Sequence, residues 1–248
     1  MKTLSKDEIR KFVLDHPHYY KLLPHEMKVR MGNENYSSVK QIQQDFIDNI
    51  YQPLTKDELI FLKPFVAKAN ENLKRILKPL RLDKKPIETV IIKTVDGKDW
   101  QMPYTKANVI VLPQRVINAN MRLARTLTHE KLHIYQRMFP DIFKKYYKQQ
   151  LDFDSLKLND NQLQGMKNMG LHKMMINNPD ITDMGLMVYK SELLPLTVIM
   201  PNETKPVNII VRLLPDGIIL ENNKKGISGY DELRLDHPNE MMAYMVCK

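Results

Sequence analysis

The chain has 248 residues, 43% of them apolar, and a formal net charge of +9. That length and apolar content suffice for one large core or two small ones, which excludes a disordered or low-complexity chain. A lone cysteine, Cys247, rules out an intrachain disulfide, and the longest apolar runs, such as 193–200, fall short of the roughly 20 residues that span a bilayer. The opening MKTLSKDEIRKF is charged where a secretory signal is apolar. The expectation is an intracellular, cytoplasmic protein, or one carried inside a viral particle, with no membrane segment.

In chain order, Ser5 and Glu8 have the spacing of a capping box, with Leu4 and Ile9 as the hydrophobic staple, and predict a first helix. Val39, Ile42, Phe46 and Ile50 recur at helical intervals, so 38–51 reads as an amphipathic helix. Thr55 and Glu58 repeat the capping box ahead of a long helix that Pro64 interrupts and that continues to about residue 77. Together these segments predict an N-terminal helical region, 1–86.

From residue 88 the period shortens. Residues 88–95 are rich in β-branched side chains, Asp96 and Gly97 supply a two-residue hairpin turn, and 100–102 would return antiparallel. A short apolar strand, 108–112, closes at Pro113; one long helix is predicted over 116–138, and Pro140 opens another, 141–150. Residues 152–183, rich in Asn, Asp, Met and Lys, read as an elaborated loop with one short helix. A second β-rich stretch follows at 194–200, 207–213 and 218–221, around a turn at 215–217. The last helix begins at Pro238 and carries Glu240 in its first turn. The 16 methionines read as adaptable core filler.

Residues 128–137 are THEKLHIYQR. Two histidines four apart on a helix share a face with about 6 Å between them, so His129 and His133 can present their imidazoles to one cation. Glu130 stands beside the first, placed to take a proton from a water activated there. Leu123, Leu127, Ile134 and Met138 make one apolar stripe, and Ile117, Met121, Ala124, Leu132 and Tyr135 another. The narrow polar face left over, Thr126, His129, Glu130, His133 and Arg137, is expected to look into a wet cleft. Without a metal, the same residues are a partly exposed polar helix face. Zn²⁺ suits a histidine and carboxylate set with one open position.

HEKLH, preceded by the apolar strand NVIVLP and the helix RVINANMRLARTLT, resembles the zincin superfamily of zinc metallopeptidases. The resemblance implies an α+β fold: a zincin-like catalytic domain over 87–248, with a small antiparallel or mixed sheet plus the active-site helix, carrying a β-rich insertion at about 152–235. In that family the strand before the active-site helix commonly runs along the cleft and pairs with an extended peptide. This assigns Asn108, Val109, Ile110, Val111 and Leu112 to substrate binding as an edge strand.

Gln136 and Phe139 stand where the metzincin branch has its glycine and third histidine, so that branch is excluded. The chain is more similar to the gluzincins, in which a glutamate on a later helix completes the metal sphere. Glu240, in the sequence NEMMA, matches the NExxA form of that helix and is the expected third ligand, with His172, Glu192, Asp180 and Asp183 as alternatives. The oxyanion donor, usually Tyr or His in this family, falls to Tyr230, with His237 and Tyr244 as alternatives. Tyr244 also occupies the position of the family's aspartate four residues after the ligand glutamate, so orienting support for His129 must come from elsewhere, Asp236 being one source.

The implied activity is a zinc-dependent metallopeptidase acting on a peptide or protein: His129, His133 and Glu240 hold Zn²⁺, and Glu130 serves as general base and then acid. The basic charge allows an alternative, a catalytically inactive zincin-fold protein that binds nucleic acid or serves as a structural, virion-associated component. Lysines dispersed along the chain favour a solvated basic surface over a polyanion site.

Overall fold

The computed structural model describes residues 1–32, 35–119, 122–176, 178, 180, 185–200, 203, 207–221 and 236–246. Among them are ten α-helices and two five-stranded sheets, an α+β arrangement. No helix among the described residues is long and apolar enough to cross a membrane. The chain divides into two compact units, Met1–Met138 with Val246–Lys248, and Phe139–Met245. The boundary expected at 86–87 falls inside the first unit, because the N-terminal helices and the strands that follow share their cores.

The sheet of the first unit centres on β3 (Val90–Thr94) and β5 (Val109–Pro113), which run parallel with Ile91 opposite Ile110. On the far side of β5 lies β4 (Tyr104–Lys106), antiparallel. The outer edge of β3 is shared by β1 (Lys2–Thr3), parallel at Val90 and Ile91, and β2 (Tyr51–Gln52), antiparallel at Lys93 and Thr94.

Because side chains alternate across a sheet, Val90, Ile92, Val109 and Val111 point one way, into a core with α1 (Lys6–Asp15), α2 (Pro24–Met31) and α3 (Val39–Asp45). Ile91, Ile110 and Leu112 point the other way, onto α4 (Lys56–Leu77), α5 (Gln114–Ala119) and α6 (Leu123–Met138). Three layers result, with both sheet faces covered, which is why β3 and β5 read as continuous apolar runs.

Both capping boxes form. Ser5 Oγ accepts from Glu8 N at 3.2 Å and Thr55 Oγ1 from Glu58 N at 3.2 Å, and each glutamate reaches back to the N–H of its cap. The segment 38–51 is helical as expected, an α-helix over Val39–Asp45 that widens to a π-helix over Phe46–Ile50 before β2. Three local expectations are corrected. Helix α4 runs unbroken through Pro64, because the carbonyl deprived of its N–H partner belongs to Ile60, which is 71% exposed and open to water. Gly97 does turn the chain, but the strand that returns is β4, and it pairs with β5, since both edges of β3 are already taken. The tight hairpin lies at Ala107 and Asn108 instead, between β4 and β5.

The helix expected over 116–138 is two, α5 and α6. Arg122 sits between them at φ 64°, in a left-handed conformation that no right-handed helix continues through.

The first unit also buries a polar cluster. Arg30 Nε donates to Asp99 Oδ1 at 2.7 Å, and Tyr104 donates its hydroxyl to the other carboxylate oxygen. The Arg30 guanidinium stacks 5.2 Å from the Trp100 ring centre and 5.7 Å from that of Phe46. Lys106 Nζ lies 4.2 Å from the Tyr20 ring centre and donates to Tyr51 Oη at 2.8 Å. Burial alone would raise the Asp99 pKa, but the positive charges of Arg30 and Lys106 outweigh it and hold the carboxyl below its usual range.

The second unit is built on an antiparallel sheet in the order β10 (Gly217–Leu220), β9 (Val207–Leu214), β8 (Leu193–Val198), β7 (Met187–Tyr189), β6 (Phe153–Ser155). The region read as an elaborated loop contributes β6 to it, together with α8 (Asp160–Asn168) and α9 (Leu171–Met174). Asn159 and Gln162 form a capping box that starts α8. Leu194, Leu196, Val198, Val211 and Ile218 pack with Met166 and Leu171 of those helices. Two further helices, α7 (Pro140–Gln150) and α10 (Pro238–Val246), belong to this unit, each with a proline in its first turn.

Candidate metal centre

Helix α6, which carries HEKLH, is fixed at three places. Thr128 Oγ1 donates to Ala124 O at 2.7 Å and accepts from Asn72 Nδ2 of α4 at 3.3 Å. Lys131 Nζ donates to Asn70 Oδ1 at 2.7 Å and to Thr89 Oγ1 at 2.6 Å. Arg137 donates from Nη1 to Ala107 O at 2.5 Å and from Nη2 to Thr105 Oγ1 at 3.1 Å, tying the helix end to β4. These bonds, with Leu123, Leu127 and Ile134 against the sheet, set the rotation of α6 about its axis and so the direction of its imidazoles. Burial pulls the Lys131 ammonium down to about 8.

The face expected to be wet is so only in part, with Thr126, His129 and Arg137 partly exposed. His133 is 0% exposed and Glu130 4%, while His129 is half-buried. Helix α6 is buried on nearly all sides, so its polar side chains must find partners within the protein.

The two imidazoles meet edge to face, with ring planes 82° apart and Nε2 to Nε2 3.1 Å. His133 Nδ1 lies 2.7 Å from Gln136 Oε1. A carboxamide oxygen only accepts, so Nδ1 holds the ring proton, and Nε2 presents its lone pair toward His129. Two imidazole nitrogens on one tetrahedral zinc ion, each at 2.0–2.1 Å, stand about 3.3 Å apart, so the pair fits such an ion with a shift of a few tenths of an ångström. Without an ion, the same spacing makes a hydrogen bond from His129 to His133.

Among the described residues, one group of three or more His, Cys, Asp or Glu side chains could hold a metal ion. Its members are His129 and His133 on α6 of the first unit and Glu240 on α10 of the second. Glu240 stands in the first turn of α10, whose start is tightly held. Tyr147 of α7 donates its hydroxyl to Asn239 Oδ1 at 2.9 Å, Asn239 Nδ2 donates to Asp180 O at 3.1 Å, and the His237 N–H donates to Asp236 Oδ1 at 2.7 Å.

The remaining site residues fall as follows. Both nitrogens of His237 meet backbone: Nε2 donates to Gly185 O at 3.2 Å and Nδ1 accepts from the Asn239 N–H at 3.3 Å, which makes it a buried capping residue. Tyr244, on α10, is 52% exposed. Asp236 accepts from Asn208 Nδ2 as well as from His237. His172 is exposed on α9, and Glu192 pairs with Arg212 at 2.7 Å. Tyr230 and Asp183 lie outside the described residues.

The expectation for 108–112 is corrected. Asn108 is an exposed turn residue, and Val109, Ile110, Val111 and Leu112 lie on β5, which is bonded on both edges by β3 and β4; an internal strand offers no edge to a peptide. Two participants were missed from sequence, Lys131 and Gln136. The spacing of Gln136 from His133, three residues along one helix face, was the signal for the second. No protein-family model matches the chain, and neither a curated protein nor a solved structure matches it.

Proposed function

We propose that the chain is a zinc-dependent metallopeptidase of zincin type, gluzincin-like in its ligand set, that hydrolyses peptide bonds. The observation that carries this reading is the pair of Nε2 atoms on α6, 3.1 Å apart, with the His133 tautomer set by Gln136. His129, His133 and Glu240 would hold the ion. When bound, Zn²⁺ supplies Lewis acidity, which polarises a scissile carbonyl and lowers the pKa of a water.

Within this reading Glu130 has the proton-handling role. It adjoins His129 in sequence and is buried, so its carboxylate takes a proton from water and passes it to the leaving amine rather than exchanging freely with bulk solvent. Gln136 acts through His133 as a positioning residue. Strand β5, being internal, takes no part in holding the peptide.

Elemental analysis of purified protein together with hydrolysis of a mixed peptide library tests the proposal. Expected are stoichiometric zinc in the wild type and in Glu130→Gln, zinc lost in His129→Ala and His133→Ala, and hydrolysis lost in all three variants. Zinc retained by the doubly substituted histidine variant removes the site, and hydrolysis that survives Glu130→Gln removes the assigned base. Unchanged zinc affinity in Glu240→Gln removes the third ligand alone.

A further inference from the structure

A second chemistry stands on the same helix. Lys131 follows Glu130 by one residue and is offset from His129 by two, or about 200° around the helix, so it points away from the imidazole pair. It forms part of the wall of a cleft of about 260 Å³ within the first unit. Leu73 and Leu77 of α4, with Ile87, make the apolar part of that wall, and Tyr135 is held there by its hydroxyl, which donates to Lys85 O at 2.8 Å.

The cation is unusual in its partners. Lys131 is 3% exposed, and its two acceptors, Asn70 Oδ1 and Thr89 Oγ1, are both neutral. Among the described residues it makes no ion pair; Asp83 lines the same cleft without reaching it. A buried ammonium with no carboxylate beside it is costly, and a third N–H remains to be satisfied. An anion entering the cleft supplies both the counter-charge and the acceptor.

We propose that this cleft binds a small organic carboxylate with an apolar body, its carboxylate on Lys131 Nζ and its body against Leu73, Leu77 and Ile87. The volume, equal to about nine waters at roughly 30 Å³ each, suits an acid of benzoate size. The site is separate from the imidazole pair and stands whether or not that pair holds a metal.

Titration of the full-length protein with benzoate, benzamide and acetate, followed by backbone amide chemical shifts, tests it. Benzoate is expected to shift the amides around Leu73, Leu77, Ile87 and Lys131 and to bind at least tenfold more tightly than either benzamide, which lacks the charge, or acetate, which lacks the body. Lys131→Met, with its circular dichroism unchanged, is expected to lose the preference for benzoate over benzamide. Benzoate shifts that map elsewhere, benzamide binding equally well, or a preference that persists in Lys131→Met would each overturn the proposal. If Lys131→Met does not fold, the wild-type mapping and the three-ligand comparison decide alone.

Discussion

His133 directs its Nδ1 proton at the carboxamide oxygen of Gln136, 2.7 Å away and about one helical turn further along α6. The bond fixes which nitrogen of His133 is free to bind an ion. Replacing Gln136 by Leu removes the acceptor while keeping the bulk. Zinc affinity, measured by competition with a chromophoric chelator, should fall by about 10- to 100-fold with stoichiometry unchanged. An affinity equal to the wild type would show that Gln136 does not orient the ligand.

The Arg30–Asp99 pair is buried on both sides. Truncating Arg30 to Ala leaves the buried Asp99 carboxylate without its ion-pair partner, a loss on the order of 3–5 kcal/mol. Urea unfolding should place the variant well below the wild type, with a similar dependence on denaturant.

Acid should reveal the same pair. The Asp99 pKa is depressed in the folded protein, so its contribution to stability is present above the unfolded value, about 3.9, and is lost as pH falls through the folded value. The stability gap between wild type and Asp99→Asn should therefore be widest near neutrality and narrow below about pH 4. A gap that stays constant down to the acid limit, read from thermal melts, would contradict this assignment.

In a fragment beginning at residue 87, the first-unit sheet should not fold. Val90, Ile92, Val109 and Val111 share one core with Ile9, Val13, Ile42 and Phe46, all absent from such a fragment, and β3 would lose both β1 and β2. Its far-ultraviolet circular dichroism should lose the helical contribution of the first unit, and the amide signals of Val90–Thr94 and Val109–Pro113 should fall in the unfolded range.

In the second unit, α8 crosses β10 at Gly165. A methyl group there would stand 2.8 Å from Ile218 Cγ1, closer than packed carbons approach. Gly165→Ala should cost about 1–3 kcal/mol as Ile218 is displaced, offset in part by the better helix propensity of alanine. A melting temperature at or above that of the wild type would mean that Ile218 moves aside freely.

What could be read from sequence was local. The capping boxes at Ser5 and Thr55, the proline start of α10 and the strands β8 to β10 depend on neighbours within a few residues, and the structure has them where the pattern puts them. The HEKLH spacing likewise needs only one turn of helix. What escaped was non-local or conditional. Nothing near residues 109–113 indicates that β4 will cover the outer edge of β5, and nothing near Pro64 indicates that the orphaned carbonyl will face water. Arg122 carries no glycine-like signature, yet it takes the left-handed turn that separates α5 from α6. Glu240 was singled out by the NEMMA resemblance, not by spacing, and it stands in the first turn of α10, where the proline start puts it.

The placement of His129 and Lys131 on opposite sides of one helix makes insertions and substitutions unequal in effect. A point change at either position disturbs one set of contacts. A single residue gained or lost between Arg125 and Thr128 would turn everything after it by about 100°, swinging the imidazoles, the ammonium and Arg137 away from their partners together. Length variation in that short stretch is therefore all-or-nothing, whereas replacements there are tolerated or penalised one contact at a time.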